Sequence, residues 1–169
     1  SGYRESGEHE IQTQPHNLNT GKKTMKFVRF ANGDGAAYGV VDGDTVKEIS
    51  NSPIGQDYSE TGATHDLNEI KILAPNPNPS KMLCLALNYG SHLLGADRPT
   101  RPQPFYKNTN AIIGPGDAIK LPPDAGLVVC ESELIAIIGK EASKVSEADA
   151  LDYVFGYTAG NDVSAREWQ

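Results

Sequence analysis

Glu131 and Glu133 stand two residues apart inside Leu127-Val-Val-Cys-Glu-Ser-Glu-Leu-Ile-Ala-Ile-Ile-Gly139, an almost unbroken apolar run. Its richness in Val and Ile, between Pro122-Pro123-Asp124 and Gly139, predicts a β-strand. Apolar residues at successive positions predict burial of both faces. Side chains alternate along a strand, so the two carboxylates point the same way, with Cα atoms about 6.6–7 Å apart. On a buried face they would repel each other and lose hydration, which calls for shared protons or a cation. A solvated acidic edge is the bland alternative and the usual state of such side chains. The flanking Val128, Val129, Leu134, Ile135, Ile137 and Ile138 speak against it, and we adopt the cation.

Other groups lie where strands end. The apolar run Lys81-Met-Leu-Cys-Leu-Ala-Leu87 leads directly into Asn88-Tyr-Gly-Ser-His92, and binding groups are commonly presented at such places. His92 is the one histidine so placed; a hydrogen-bonded core histidine and an exposed loop residue stay open beside a binding role. Lys107 ends the short strand Pro104-Phe-Tyr-Lys107, either as a solvated charge or reaching an anionic ligand. Tyr153-Val-Phe-Gly-Tyr-Thr-Ala159 is strand-like and delivers Asn161 and Asp162 at its end. Ahead of it, Val145–Tyr153 reads as a short helix with Ser146 at the N-cap and Asp149 three residues on, which makes Ser146 structural. In the 93–103 loop, Arg98 and Arg101 are carboxylate partners or solvated charges.

The elements that must position these groups fall into three stretches. Residues 1–24 are polar and aperiodic, hence a disordered extension carrying His9 and His16. Residues 25–79 form a small antiparallel β-module and linker. Met25–Phe30, Ala37–Val41 and Thr45–Ile49 are strands, Asn32–Gly35 is a turn, and Asp42-Gly-Asp44 has tight-hairpin chemistry. Residues 51–65 are turn-rich; Asp66–Ala74 is a short element leading to the extended linker Pro75-Asn-Pro-Asn-Pro79. Residues 80–169 carry the chemistry.

Composition bounds the function. With 169 residues, 38% hydrophobic and 22% charged, the chain is a globular one. Its net charge of −7 argues against a nucleic-acid partner. The sequence contains no apolar run long enough for a membrane-spanning helix and no secretory signal pattern at its start, so a cytoplasmic protein is expected. Cys84 and Cys130 lie in apolar runs and are expected as reduced, buried core residues. Internal repeats, phosphate-cradling glycines, zinc-type spacings and a Gly-x-Ser-x-Gly elbow are absent from the sequence.

The constellation resembles the fumarylacetoacetate hydrolase family. The resemblance is carried by Leu87-Asn-Tyr-Gly-Ser-His92, Phe105-Tyr-Lys107, Ile113-Gly-Pro-Gly-Asp117, Glu131-Ser-Glu-Leu-Ile-Ala-Ile-Ile-Gly-Lys140 and Ala150-Leu-Asp-Tyr-Val-Phe-Gly-Tyr-Thr-Ala-Gly-Asn-Asp-Val-Ser-Ala-Arg166. It implies a mainly β (α+β) fold: a mixed β-sandwich or β-roll catalytic domain behind a small β-module, usually in a homodimer. It implies one Mg²⁺ or Mn²⁺ held by Glu131, Glu133 and Asp162, an all-oxygen set that suits hard cations. It places His92 and Lys107 as catalytic residues, and Tyr89 and Arg166 beside the substrate. The substrate would be a small 2-oxo or β-dicarbonyl acid, such as an acylpyruvate, oxaloacetate or an aromatic catabolite, whose C–C bond or enolisable position reacts.

Two positions depart from the family pattern. Gly95 stands where hydrolytic members carry a Glu that orients the histidine, which turns the expectation toward isomerisation, decarboxylation or lyase chemistry. Cys130 replaces a common tyrosine. The family's catalytic domain also continues for on the order of 100 residues past the Ser-Ala-Arg segment. The chain is therefore expected to hold an incomplete domain with exposed apolar faces and strand edges, prone to homo-oligomerise, with a catalytically inactive metal- or ligand-binding fragment as the alternative to an enzyme.

Overall fold

The computed structural model describes residues 24–169 except Leu94 and Ala96, and leaves out the side chain of His92. The expected extension lies outside the described residues, apart from Thr24. Five strands, β1 (Lys26–Asn32), β2 (Gly35–Asp42), β3 (Thr45–Ile49), β4 (Glu60–Asp66) and β5 (Ile72–Leu73), make one antiparallel sheet in the order β4-β3-β2-β1-β5. Period-two alternation turns Val28 and Phe30 of β1 inward, and β3 adds Val46 and Ile49. Phe30 and Val46 are fully buried, and Ala37, Val41, Leu67 and Ile70 close over them.

Strand β4 corrects the expectation of a turn-rich 51–65 segment over its last six residues. Its residues Glu60-Thr-Gly-Ala-Thr-His-Asp66 are polar and almost wholly exposed, so no apolar alternation announces it. The residue that turns in is His65. Its ring lies 4.7 Å from that of Phe30, and its Nε2 lies 2.8 Å from Glu48 Oε2.

Beyond the linker, β6 (Met82–Ala86) and β7 (Gln103–Lys107) pair as one hairpin. A second pairing joins β8 (Val128–Val129) and β9 (Ser132–Ile138) to β11 (Ser164–Ala165) and β10 (Val154–Asn161). The protein is mainly β, and every ladder among the described residues is antiparallel. The expected helix over 145–153 shrinks to one 3-10 turn, Ala150–Tyr153. Ser146 does not cap it: the N-cap is Asp149, without a side-chain cap bond, and Ser146 Oγ instead closes the preceding turn, donating to Asp149 Oδ2 at 2.6 Å and accepting from Asp149 N at 3.3 Å. What the segment lacks is a buried apolar face, since Leu151 is exposed, and so short a helix does not persist without one.

The strand expected over 127–139 breaks at Cys130–Glu131, and its two-sided burial is not observed. Leu134 is 68% and Ile138 53% exposed, and Leu83 and Leu85 of β6 are likewise open. Each of these hairpins is only two strands wide and nothing among the described residues covers its outer face, so alternate apolar residues stay in water. Cys130 is exposed rather than buried for the same reason, while Cys84 is partly buried; both are free thiols.

Among the contacts that tie the five-stranded sheet to the rest, two involve side chains whose roles are clear. Phe27 of β1 stacks on Phe155 of β10 with centroids 5.5 Å apart. Asp117 accepts from Gly114 N at 2.9 Å and pairs with Lys71 at 3.1 Å, so one carboxylate both closes its own turn and reaches the sheet. The Gly114 amide, then Lys71, hold the Asp117 carboxyl below its ordinary 3.8.

Truncating Phe30 to Ala removes the centre of the N-terminal core and should lower stability by about 3–5 kcal/mol in urea unfolding. A carboxyl depressed on folding stabilises the fold above its unfolded value, and that contribution disappears as pH falls through the lower folded value. Asp117→Asn should therefore flatten the fall of Tm between about pH 5 and pH 3 relative to the unsubstituted chain.

Candidate active site

The register of β9 on β10 and that of β8 on β11 are the same, so the two ladders are one antiparallel hairpin interrupted in its middle. The interruption falls on Cys130 and Glu131 opposite Asp162 and Val163. Within it, Asp162 N donates to Glu131 O at 2.9 Å, and Glu131 N donates to the Asn161 side-chain oxygen at 3.1 Å. Glu131 and Asp162 are thus cross-strand neighbours. Glu133, two positions on and opposite Gly160, shares their face. The face is packed closely enough that a Cβ on Gly160 would sit 2.3 Å from Ile135 Cδ1.

The β6–β7 hairpin brings the cation. Met82 pairs with Lys107 and Cys84 with Phe105, so all four share one face, and each is more covered than its strand neighbours. From this face Lys107 Nζ donates to Val163 O at 2.7 Å and pairs with Asp162 Oδ1. The Asp162 side chain is only 10% exposed, and its Oδ1 is buried without a hydrogen bond of ordinary geometry, the ammonium being its ionic partner. Arg166, delivered by Arg166 N donating to Leu127 O at 2.9 Å, pairs its guanidinium with Glu131 Oε1 and donates to Gln169 Oε1 at 2.8 Å. Glu133 makes no ion pair among the described residues.

Tyr89 lies in the segment leaving β6, and its hydroxyl accepts from Leu134 N at 3.3 Å, next to Glu133. Leu87 turns the chain into that segment at φ +54, a left-handed conformation uncommon for a bulky residue. The backbone of His92 forms part of the 3-10 turn Gly90–Leu93; its side chain is outside the described residues. Gly95 has φ +90, where a Glu backbone would be strained, so the local conformation agrees with the missing acidic partner.

Cys84 belongs to this site and was missed as a core residue. Burial first, then the charge of Asp162, raise its thiol above the ordinary 9.0, with Lys107 opposing and Glu133 adding to the rise. It is a neutral thiol at neutral pH. The signal that could have found it is its place on the strand, two residues from the partner of Lys107. Arg98 and Arg101 make no ion pair among the described residues. An open cleft of about 520 Å³ at the other end of the β9–β10 ladder, lined by Pro53, Asp57, Lys140, Asp152, Tyr153 and Phe155, contains none of the expected site residues.

Three carboxylates face two cations, leaving one negative charge uncompensated. The donor chemistry fits a hard divalent ion. It is all carboxylate and it shares one face. The side chains themselves are committed to Lys107 and Arg166, and among the described residues no three Asp, Glu, His or Cys groups converge on one point.

Comparison with known proteins agrees with this layout. The profile of the fumarylacetoacetate (FAA) hydrolase C-terminal domain matches residues 81–169, and that of the Rv2993c-like N-terminal domain matches residues 25–75. Protein Rv2993c of Mycobacterium tuberculosis is 39% identical over 154 residues, covering 86% of this chain and 57% of that protein. The mitochondrial oxaloacetate tautomerase fahd2 of Xenopus laevis is 42% identical over 104 residues, 60% of this chain and 33% of its own length. The crystal structure of 2-hydroxyhepta-2,4-diene-1,7-dioate isomerase from Mycobacterium marinum superposes with a TM-score of 0.75 at 37% identity, covering 86% of this chain and 57% of that one. The chain thus spans a little over half the length of the relatives it matches most extensively. With more than half of its residues matched by the catalytic-domain profile, the chain belongs to the fumarylacetoacetate hydrolase family.

Proposed function

We propose that the chain carries the cation-binding half of an enzyme that moves a proton at, or breaks a C–C bond beside, the carbonyl of a small 2-oxo or β-dicarbonyl acid. The observation that carries this reading is the interrupted hairpin, which sets Glu131, Glu133 and Asp162 on one face with Lys107 and Arg166 at its rim. Mg²⁺ or Mn²⁺ is the ion that such carboxylates would hold. When bound, it supplies Lewis acidity toward adjacent carboxylate and carbonyl oxygens, which favours an enolate. Its two charges would turn the site's single excess negative charge into a single positive one, matched to an anionic oxo acid.

The chain's own residues do the rest. Arg166 fixes Glu131, and its guanidinium, 44% exposed on its side chain, can also meet a substrate carboxylate. Tyr89 holds the segment after β6 against β9 beside Glu133. His92, in that same segment, is assigned the proton transfer. Gly95 offers no carboxylate to orient a histidine for activating water, which favours proton transfer over hydrolysis. The names of two relatives, a tautomerase and an isomerase, favour the same class of reaction.

A second reading, a binding fragment without turnover, is favoured by the exposed apolar faces of β6 and β9. The same open faces support homo-oligomerisation. No helix among the described residues is long and apolar enough to cross a membrane.

Enol-to-keto conversion of oxaloacetate, followed by ultraviolet absorbance, separates the two readings. The enzyme reading predicts a rate above the Mg²⁺-only background that Asp162→Asn abolishes and His92→Ala lowers about 10²–10⁴-fold. Cation binding with no rate above that background would leave only the fragment.

A further inference from the structure

A single hydrogen bond separates the gap at Glu131 and Asp162 from an ordinary hairpin. In an antiparallel ladder, a hydrogen-bonded pair exchanges both of its amide-to-carbonyl bonds. Glu131 and Asp162 occupy such a pair, because the register that sets Asn161 opposite Ser132 continues unshifted to Ser164 opposite Val129. One of their two bonds is present, Asp162 N donating to Glu131 O at 2.9 Å. The reciprocal bond is replaced: Glu131 N donates to the side-chain oxygen of Asn161 at 3.1 Å. The displaced acceptor, Asp162 O, lies 3.5 Å from the hydroxyl of buried Ser164.

The surrounding chain gives no other cause for the opening. No residue is inserted on either strand, so it is not a β-bulge. Neither Gly nor Pro occurs in 128–133 or 161–166, and no residue there has a positive φ. Lys107 does hold Val163 O at 2.7 Å, but Val163 falls on the alternate, non-hydrogen-bonded pair, whose carbonyls point away from the partner strand. That bond therefore competes with no bond of the ladder.

We infer that Asn161 is a positioning residue: its side-chain amide takes the ladder bond of Glu131 and so wedges the hairpin open beside Asp162. The side-chain carbonyl of an asparagine is the same kind of acceptor as a backbone carbonyl, and Asn side chains compete for backbone amides in this way. With residue 161 supplying the acceptor, the peptide between Asp162 and Val163 is released from the strand. It then follows its own course, with Val163 O on Lys107 Nζ and the Asp162 side chain, 10% exposed, against the same ammonium. The wedge is a property of the chain alone and holds whatever the carboxylates bind.

Through-hydrogen-bond scalar couplings, measured by NMR on the full chain labelled with ¹⁵N and ¹³C, identify the acceptor of the Glu131 amide directly. In the unsubstituted chain Glu131 N should correlate with the side-chain carbonyl carbon of Asn161 and not with the backbone carbonyl carbon of Asp162. Asn161 is exposed, so Asn161→Val and Asn161→Ala remove the acceptor without opening the core. In both, the correlation should move to the Asp162 carbonyl as the ladder closes. Asn161→Asp keeps an acceptor at the same place and should keep the gap, with the correlation on its own carboxyl carbon. A Glu131-to-Asp162 correlation in the unsubstituted chain overturns the inference, as does a gap that stays open in the Val or Ala variant. Failure of both variants to fold would make Asn161 a requirement of the fold rather than a wedge, and overturns it too. No ligand enters the experiment, so its failure leaves the cation-site reading standing.

Discussion

Everything chemical in this protein depends on one backbone contact, Asp162 N donating to Glu131 O across a gap in an antiparallel hairpin. Strand pairing on either side keeps a common register, so the gap is a local opening rather than a slip. A slip of one residue would have sent Glu131 and Glu133 to the opposite face from Asp162. The Asn161 side chain fills the open position by accepting from Glu131 N, which satisfies an amide that the interrupted ladder leaves without a strand partner. The arrangement therefore positions two acidic residues face to face, a costly geometry that folding tolerates because compensating charge arrives from elsewhere.

That compensation explains the placing of the other elements. The β6–β7 hairpin supplies Lys107 to Asp162 and Val163, and the segment after β11 supplies Arg166 to Glu131. Removing either cation leaves a partly buried carboxylate unpaired, so the hairpins are held together by charge at the site as well as by packing around it. The N-terminal sheet contributes no group to this cluster. It meets the hairpins through Phe27 on Phe155 and Lys71 on Asp117, which makes it a scaffold with its own core around Phe30.

Much of this was legible from residue types. The spacing of Glu131 and Glu133 requires a shared face in any strand, and β1 to β3 announce themselves by alternation and by Asp-Gly turn chemistry. Four features had no such signature. Strand β4 is polar and solvated on nearly every residue, so its pairing with β3 leaves no hydrophobic trace. The break at Cys130–Glu131 lies within an apolar run that looks continuous, and its position depends on a partner strand more than twenty residues away. Leu87 takes a left-handed conformation for which its side chain offers no cue. Cys84 looks like a core residue because a small, partly buried thiol in an apolar strand is one by default; its true neighbours come from the hairpin partner of Lys107. The apolar strands misled about burial for a different reason, since a hydrophobic sequence reports what a face can bury against and not whether that partner is present.

We propose that the interrupted hairpin serves as a divalent-cation site built from Glu131, Glu133 and Asp162. Anomalous diffraction from crystals soaked in Mn²⁺ tests it most directly. A cation site there gives a single strong peak within coordinating distance of all three carboxylates. A peak coordinated by other residues, or full-occupancy Lys107 on Asp162 with no peak at saturating Mn²⁺, would contradict it.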